Sequence, residues 1–268
     1  MSLEKTETKH DNEFVKSTLD PTLFQIEDVA NDNACFYRAF SNCLNYSSSS
    51  LSLNEIKDLK FYGNYKPIEE VYENALWGFY SERQDRLARY LQGKSYRWVA
   101  KNYSKQLEEY GMDIGTMILL THEIDIEEYL DRYKYFAGDI VVDEYDSGRV
   151  YKSGERKGEA VIVKEELEDR WGGTPEQIAL SEAYELPIII LTSQKYNSRN
   201  NKIITGKIRN NKPEKNVRLK LIQIIGKKYI GKKDPVFILW KKHNRQGHYM
   251  SLYIKNKTDI QTIIPQLI

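Results

Sequence analysis

Asp32-Asn33-Ala34-Cys35-Phe36-Tyr37-Arg38-Ala39-Phe40 decides the reading of this chain, setting one of its two cysteines behind a short polar run and at the head of an amphipathic segment. Asn31, Asp32 or Asn33 is placed to cap a helix that begins near Cys35, so that its N–H groups and dipole would face the sulfur. Such a field favours the thiolate. Far downstream, Gly247-His248-Tyr249-Met250-Ser251-Leu252 sets a histidine among strand-forming residues. A thiol at a helix start and an imidazole on a remote strand are the two halves of a cysteine-nucleophile catalyst, and they meet only in the fold. The plain alternative is a small, inert core residue, since Cys35 and Cys43 sit eight apart near one face of a helix.

Working outward, the 268 residues suit one elaborated domain rather than two. A formal charge of +1 argues against a generic nucleic-acid binder on bulk charge. Two cysteines make no disulfide framework, and the opening Met1-Ser2-Leu3-Glu4-Lys5-Thr6 has no signal-like pattern. No apolar run approaches the roughly 20 residues that span a bilayer. The expectation is a soluble, cytoplasmic protein in a reducing compartment. Two cysteines and four scattered histidines give no metal-ligand spacing, so neither metal nor cofactor is expected.

Residues 1–20 are polar and read as a flexible N-terminal tail, leaving 21–268 as the domain. Pro21 to Val29 forms a short extended or helical lead, and a helix runs from Cys35 to Tyr46. Helical spacing continues over Glu69 to Leu91, weakened by Gly78 and Gly93, and again over Tyr96 to Tyr110. The middle is acidic over Asp125–Asp146 and Glu165–Asp169, around a hairpin of Arg149–Tyr151 and Ala160–Val163. Thr174 is placed as N-cap with Pro175 at the first helical position, and Pro187–Leu191 reads as a fully buried strand. The stretch 195–233 turns basic, with a strand over Leu219–Ile225, before paired strands Val236–Trp240 and Tyr249–Ile254. The implied class is mixed α/β, of the α+β kind.

The Cys35 block resembles the nucleophile motif of the ovarian-tumour (OTU) family of cysteine proteases, in which Asp-Gly-Asn-Cys leads an aromatic-rich helix. Trp171-Gly172-Gly173-Thr174-Pro175-Glu176-Gln177-Ile178-Ala179-Leu180-Ser181 is similar to that family's Trp-Gly-Gly motif, and Gly247–Leu252 to its closing His-Tyr-x-Ser-hydrophobic strand. The blocks occur in family order between Asp32 and Ile254, and the stretches between them look most like OTU proteins of large DNA viruses and some protists. The resemblance implies a papain-like OTU fold, with a small mixed sheet flanked by helices. It further implies a deubiquitinase that hydrolyses isopeptide bonds after the C-terminal Gly-Gly of ubiquitin, in host cytosol or virion if viral. Ubiquitin or polyubiquitin is then the partner.

On that reading Cys35 is the nucleophile and His248 the general base. Backbone N–H groups of the loop containing Asn33 and Ala34 form the oxyanion hole, although these two residues stand where the family has Gly and Asn. Met250 occupies the position two after the histidine, where OTU proteins often carry an acidic or amide residue, so Asp32 is assigned the supporting role. Trp171, Gly172, Gly173 and Tyr249 are candidates for the substrate channel; the plain reading of the glycine turn is that it lets Trp171 pack. Acidic side chains of the middle segments could pair with the basic ubiquitin tail. Two other readings stand beside this one: a catalytically silent ubiquitin-binding OTU fold, and a nucleic-acid-binding module built on the basic stretch 195–233.

Overall fold

The structure is a computed structural model of the chain and describes residues 14–30, 34–46, 82–133, 142–150, 157–166, 172–197, 199, 202–243 and 246–267. Its strands are β1 (Phe24–Glu27), β2 (Gln106–Leu107), β3 (Met112–Asp113), β4 (Val142–Val150), β5 (Ala160–Glu166), β6 (Ile188–Asn197), β7 (Lys202–Thr205), β8 (Ile208–Arg209), β9 (Lys212–Pro213), β10 (Val217–Ile225), β11 (Val236–His243) and β12 (Gln246–Ile254). Its α-helices are α1 (Cys35–Tyr46), α2 (Glu82–Asn102), α3 (Ile114–His122), α4 (Ile126–Tyr133), α5 (Thr174–Tyr184) and α6 (Ile260–Leu267). The architecture is mixed α/β.

A mixed sheet organises the fold in the order β1-β12-β11-β6-β10, with β7 added to the far half of β6. Only the β11–β6 pair is parallel; β1–β12, β11–β12, β6–β10 and β6–β7 are antiparallel. Both faces of the central strands are buried. Ile188, Ile190, Ile238, Tyr249 and Tyr253 pack with α1, α2 and α5 on one side. Ile189, Leu191, Phe237, Leu239, Met250 and Leu252 pack with Leu19, Phe24 and Ile263 of α6 on the other. Burial on two sides explains the unbroken apolar run at the start of β6, where an alternating pattern would leave a polar row in a core.

Helix α1 is less amphipathic than its sequence suggests. From Cys35 to Leu44 only Asn42 reaches intermediate exposure, so the helix is a rod through the core, enclosed by the sheet and α2. Its N-cap position is Ala34, whose carbonyl accepts the first helical bond from Arg38 N (3.0 Å) and whose methyl cannot cap. Asn31, Asp32 and Asn33 lie outside the described residues.

Several boundaries differ from the sequence expectation, each for a physical reason. Helix α2 runs straight through Gly93, because burying Ala88, Leu91 and Val99 outweighs the roughly 1 kcal/mol cost of a mid-helix glycine. The segment from Tyr96 is the end of that helix, which stops at Asn102, where Asn102 Nδ2 donates to the Trp98 carbonyl (2.7 Å). Gly173 in extended conformation, not Thr174, is the N-cap of α5, so Pro175 falls at the second helical position. The acidic hairpin is longer than expected, with Val142 paired to Glu166. The packed body also starts before Pro21: Phe14, Thr18 and Leu19 are buried, Leu19 pairs with Leu219, and Arg218 holds the Thr18 carbonyl (2.8 Å) and Asp20 (3.3 Å). Residues 1–13, the expected helical stretch 69–81 and the cluster 167–169 lie outside the described residues. Among the described residues no helix is long and apolar enough to cross a membrane.

Candidate active site

Register places the site. β1 runs antiparallel to β12 with Ile26 opposite Leu252 and Glu27 opposite Ser251, so one step further Asp28 falls opposite Met250. Side chains alternate across a strand, so Asp28, Met250, Leu252 and His248 share one face. There the His248 Nε2–H donates to Asp28 Oδ1 at 2.6 Å, the short distance of a charge-assisted hydrogen bond. Asp28 thus supplies, from the neighbouring strand, the carboxylate that Met250 cannot supply from two residues along. With Nε2 engaged, the neutral ring carries its lone pair on Nδ1, which is buried without a hydrogen bond. His248 itself is 5% exposed.

Helix α1 lies along the same strand on the other face. The Phe36 ring packs edge-on against Tyr249 with centroids 5.4 Å apart, and further along Ser251 Oγ donates to the Ala39 carbonyl (3.4 Å). Cys43 Sγ donates to the carbonyls of Phe237 (3.2 Å) and Leu252 (3.7 Å). This alignment sets Cys35, the first residue of α1, at the His248 end of β12. Burial pushes the Tyr249 phenol up to about 12 against a hydrogen bond from Gln177. The two cysteines are both buried, at 2% for Cys35 and 4% for Cys43. Burial drives the Cys43 thiol up to about 12, which makes it a core group. The Cys35 thiol and the His248 ring are not hydrogen-bonded to each other.

The glycine turn before α5 closes the site from the helical side. Gln177 Nε2 donates to both the Gly172 carbonyl (3.0 Å) and the Tyr249 hydroxyl (3.0 Å), fastening the turn to the residue after His248. A Cβ on Gly172 would run into the Phe36 ring, and one on Gly173 would meet Thr121 Cγ2 at 3.0 Å and Glu176 Oε2 at 3.2 Å. Both glycines therefore have a packing requirement of their own. Glu176, fully buried, accepts on Oε1 from Tyr129 OH (2.7 Å) and His122 Nε2 (3.0 Å), which ties the head of α5 to α3 and α4. On the opposite side the Trp240 indole occupies the space a side chain at Gly247 would need, pinning the backbone just before His248.

Of the residues expected from sequence, Cys35, Ala34, Gly172, Gly173, His248 and Tyr249 gather around the His248 end of β12, while Asp32, Asn33 and Trp171 lie outside the described residues. Asp28 was missed. Its signal is a carboxylate that continues the apolar Phe24, Ile26 row of an alternating strand, where a buried partner is the usual reason for a charge. Among the described residues no three His, Cys, Asp or Glu side chains converge as metal ligands. In comparisons with known proteins, the chain matches no protein-family model and no curated protein.

Proposed function

We propose that the chain is a thiol-dependent hydrolase of the OTU type, cleaving isopeptide bonds after the C-terminal Gly-Gly of ubiquitin. The observation that carries this reading is the Asp28–His248 pair, with Nδ1 left without a partner at the end of β12 where the Cys35 helix begins. Nδ1 takes the thiol proton as sulfur attacks the carbonyl, and Asp28 stabilises the imidazolium that forms. The imidazolium then protonates the leaving amine, and water hydrolyses the resulting thioester with the ring again acting as base. Backbone N–H groups at the start of α1 would stabilise the oxyanion. The thiol must move onto Nδ1 for this to occur, and bound substrate supplies the occasion, since catalytic hydrogen bonds tighten in the complex.

The silent ubiquitin-binding reading is favoured by the same burial of Cys35 and by its lack of a bond to the ring. One reagent separates the two. Ubiquitin bearing a C-terminal electrophile should form a covalent adduct with the chain that is lost in Cys35→Ala and His248→Ala. Binding of ubiquitin without adduct would leave only the silent fold, and absence of both would end the ubiquitin assignment.

A further inference from the structure

Two surface segments of this chain are mirror images in charge. Residues 112–133, which build α3 and α4, carry Asp113, Glu123, Asp125, Glu127, Glu128 and Asp131 against Arg132 alone. Residues 195–213, which build the ribbon from the end of β6 through β9, carry Lys195, Arg199, Lys202, Lys207, Arg209 and Lys212 with no Asp or Glu. The two blocks carry six of these charges each, of opposite sign. Two of the acidic residues have structural work as caps, since Asp113 accepts from Thr116 N (2.8 Å) and Asp125 from Glu128 N (2.8 Å). Of the rest, Glu123 and Glu127 are exposed, while Glu128 and Asp131, also exposed, have partners of their own.

Each block also exposes a pair of large aliphatic side chains. Leu119 is 52% and Leu120 68% exposed on α3, whose other face buries Ile114, Met117 and Ile118. Ile203 is 51% and Ile204 42% exposed on β7, a strand exposed along its whole length. Among the described residues β7 pairs only with β6, so its outer edge is open. The register sets Ile204 opposite Lys195, and strand alternation puts Lys202 on the same face. An isoleucine flanked by two lysines thus matches a leucine pair next to Glu123, the residue that ends α3.

We propose that the occupant of the α3–α4 face is the β6–β7 ribbon of a second copy of this chain, in a head-to-tail contact. The apolar centre supplies desolvation and the charged rim supplies orientation and rate of encounter. Because the two surfaces are different patches of one molecule, the contact is heterologous and repeats, giving short open chains rather than a closed dimer. α3 is joined to the head of α5 through His122 and Glu176, so the neighbour's ribbon would sit on the flank of the candidate site.

Sedimentation velocity on the full chain tests this independently of any activity. The weight-average sedimentation coefficient should rise as concentration increases from about 10 µM to about 500 µM, the range where a modest interface associates. Raising NaCl from about 0.1 M to about 1 M shortens the screening length from roughly 10 Å to roughly 3 Å and should weaken association by about tenfold or more. Two doubly substituted chains decide the geometry: Leu119→Ser with Leu120→Ser, and Lys202→Ser with Ile204→Ser, all at exposed positions where folding tolerates change. Each alone should be monomeric, whereas an equimolar mixture should form a one-to-one complex and grow no further. A wild-type chain that stays monomeric, or variants that fail to complement when mixed, would overturn the proposal, as would unchanged self-association in either variant.

Discussion

Replacing Asp28 tests the candidate site most directly. The Asp28 carboxylate meets the His248 ring at 2.6 Å, and its side chain is 27% exposed. A unit charge about 4 Å from the developing imidazolium, at the effective dielectric of a partly wet site, is worth about 4 kcal/mol before screening. Partial exposure and local rearrangement reduce that to the 1.5–3 kcal/mol or so usual for a hydrogen bond to a charged group. At about 1.4 kcal/mol per decade this is roughly 10- to 150-fold in rate. Asp28→Asn keeps an acceptor and loses the charge, so kcat/KM should fall about tenfold. Asp28→Ala loses both and leaves a buried N–H unsatisfied, so the fall should be about a hundredfold, still less than for Cys35→Ala. The assay is release of a fluorescent amine from the ubiquitin C-terminus, with melting temperature and circular dichroism as controls for folding. Activity of Asp28→Ala within about twofold of wild type, in a folded protein, would refute the triad. Asp32→Asn in the same assay decides between the carboxylate that the sequence favours and the one that touches the ring.

Further outcomes follow from other parts of the structure. Since burial raises the Cys43 thiol to about 12, it stays protonated at pH 8, and iodoacetamide should modify Cys35 when a single site is labelled; mass mapping that finds Cys43 labelled first would reverse the assignment. Gly172→Ala forces a methyl into the Phe36 ring and should cost about 1–3 kcal/mol, lowering the melting temperature; a variant that melts with wild type would show that the ring does not hold the turn. Partial burial raises the Asp20 carboxyl, but hydrogen bonds from Thr22 and the Arg218 and Lys255 charges outweigh it and hold it below its ordinary value of 3.8. A depressed carboxylate contributes stability above that value and loses it as pH falls through the folded-state pKa. The Leu19 amide, bonded to the Leu219 carbonyl at 2.7 Å, should therefore lose exchange protection on acidification below about pH 4 in wild type. In Asp20→Asn, protection should be already lower and flatter with pH; a steep loss persisting there would point elsewhere.

Local chemistry made parts of the fold readable. The aromatic-rich run after Cys35 announces a helix, though not one buried all round, and Pro187 to Leu191 announces an interior strand, because each depends on residues close in sequence. The carboxylate bonded to His248 was not readable in that way. Asp28 reaches His248 only through the β1–β12 register, and no local pattern says which strand will lie beside β12. Only the carboxylate on an apolar row hints at it. The continuous α2 was obscured for a related reason: the propensity of Gly93 is local, while the packing of Leu91 and Val99 that overrides it is tertiary. Phe14 and Leu19 lay hidden in a polar stretch because two apolar residues suffice to anchor a segment that Arg218 also grips.

The Asp28–His248 bond closes across 220 residues of chain, between the first strand and the last. On a ribosome adding roughly 5–20 residues per second, Asp28 and Cys35 emerge some 10–45 s before the histidine strand is made. During that interval β1 has no strand to pair with, and the cysteine helix has no base. The Asp28–His248 pair therefore comes into being as a final event, when the C-terminal hairpin inserts between β1 and β6 and completes the sheet. A chain stopped anywhere short of β12 carries Cys35 without the ring that the proposed function makes its base.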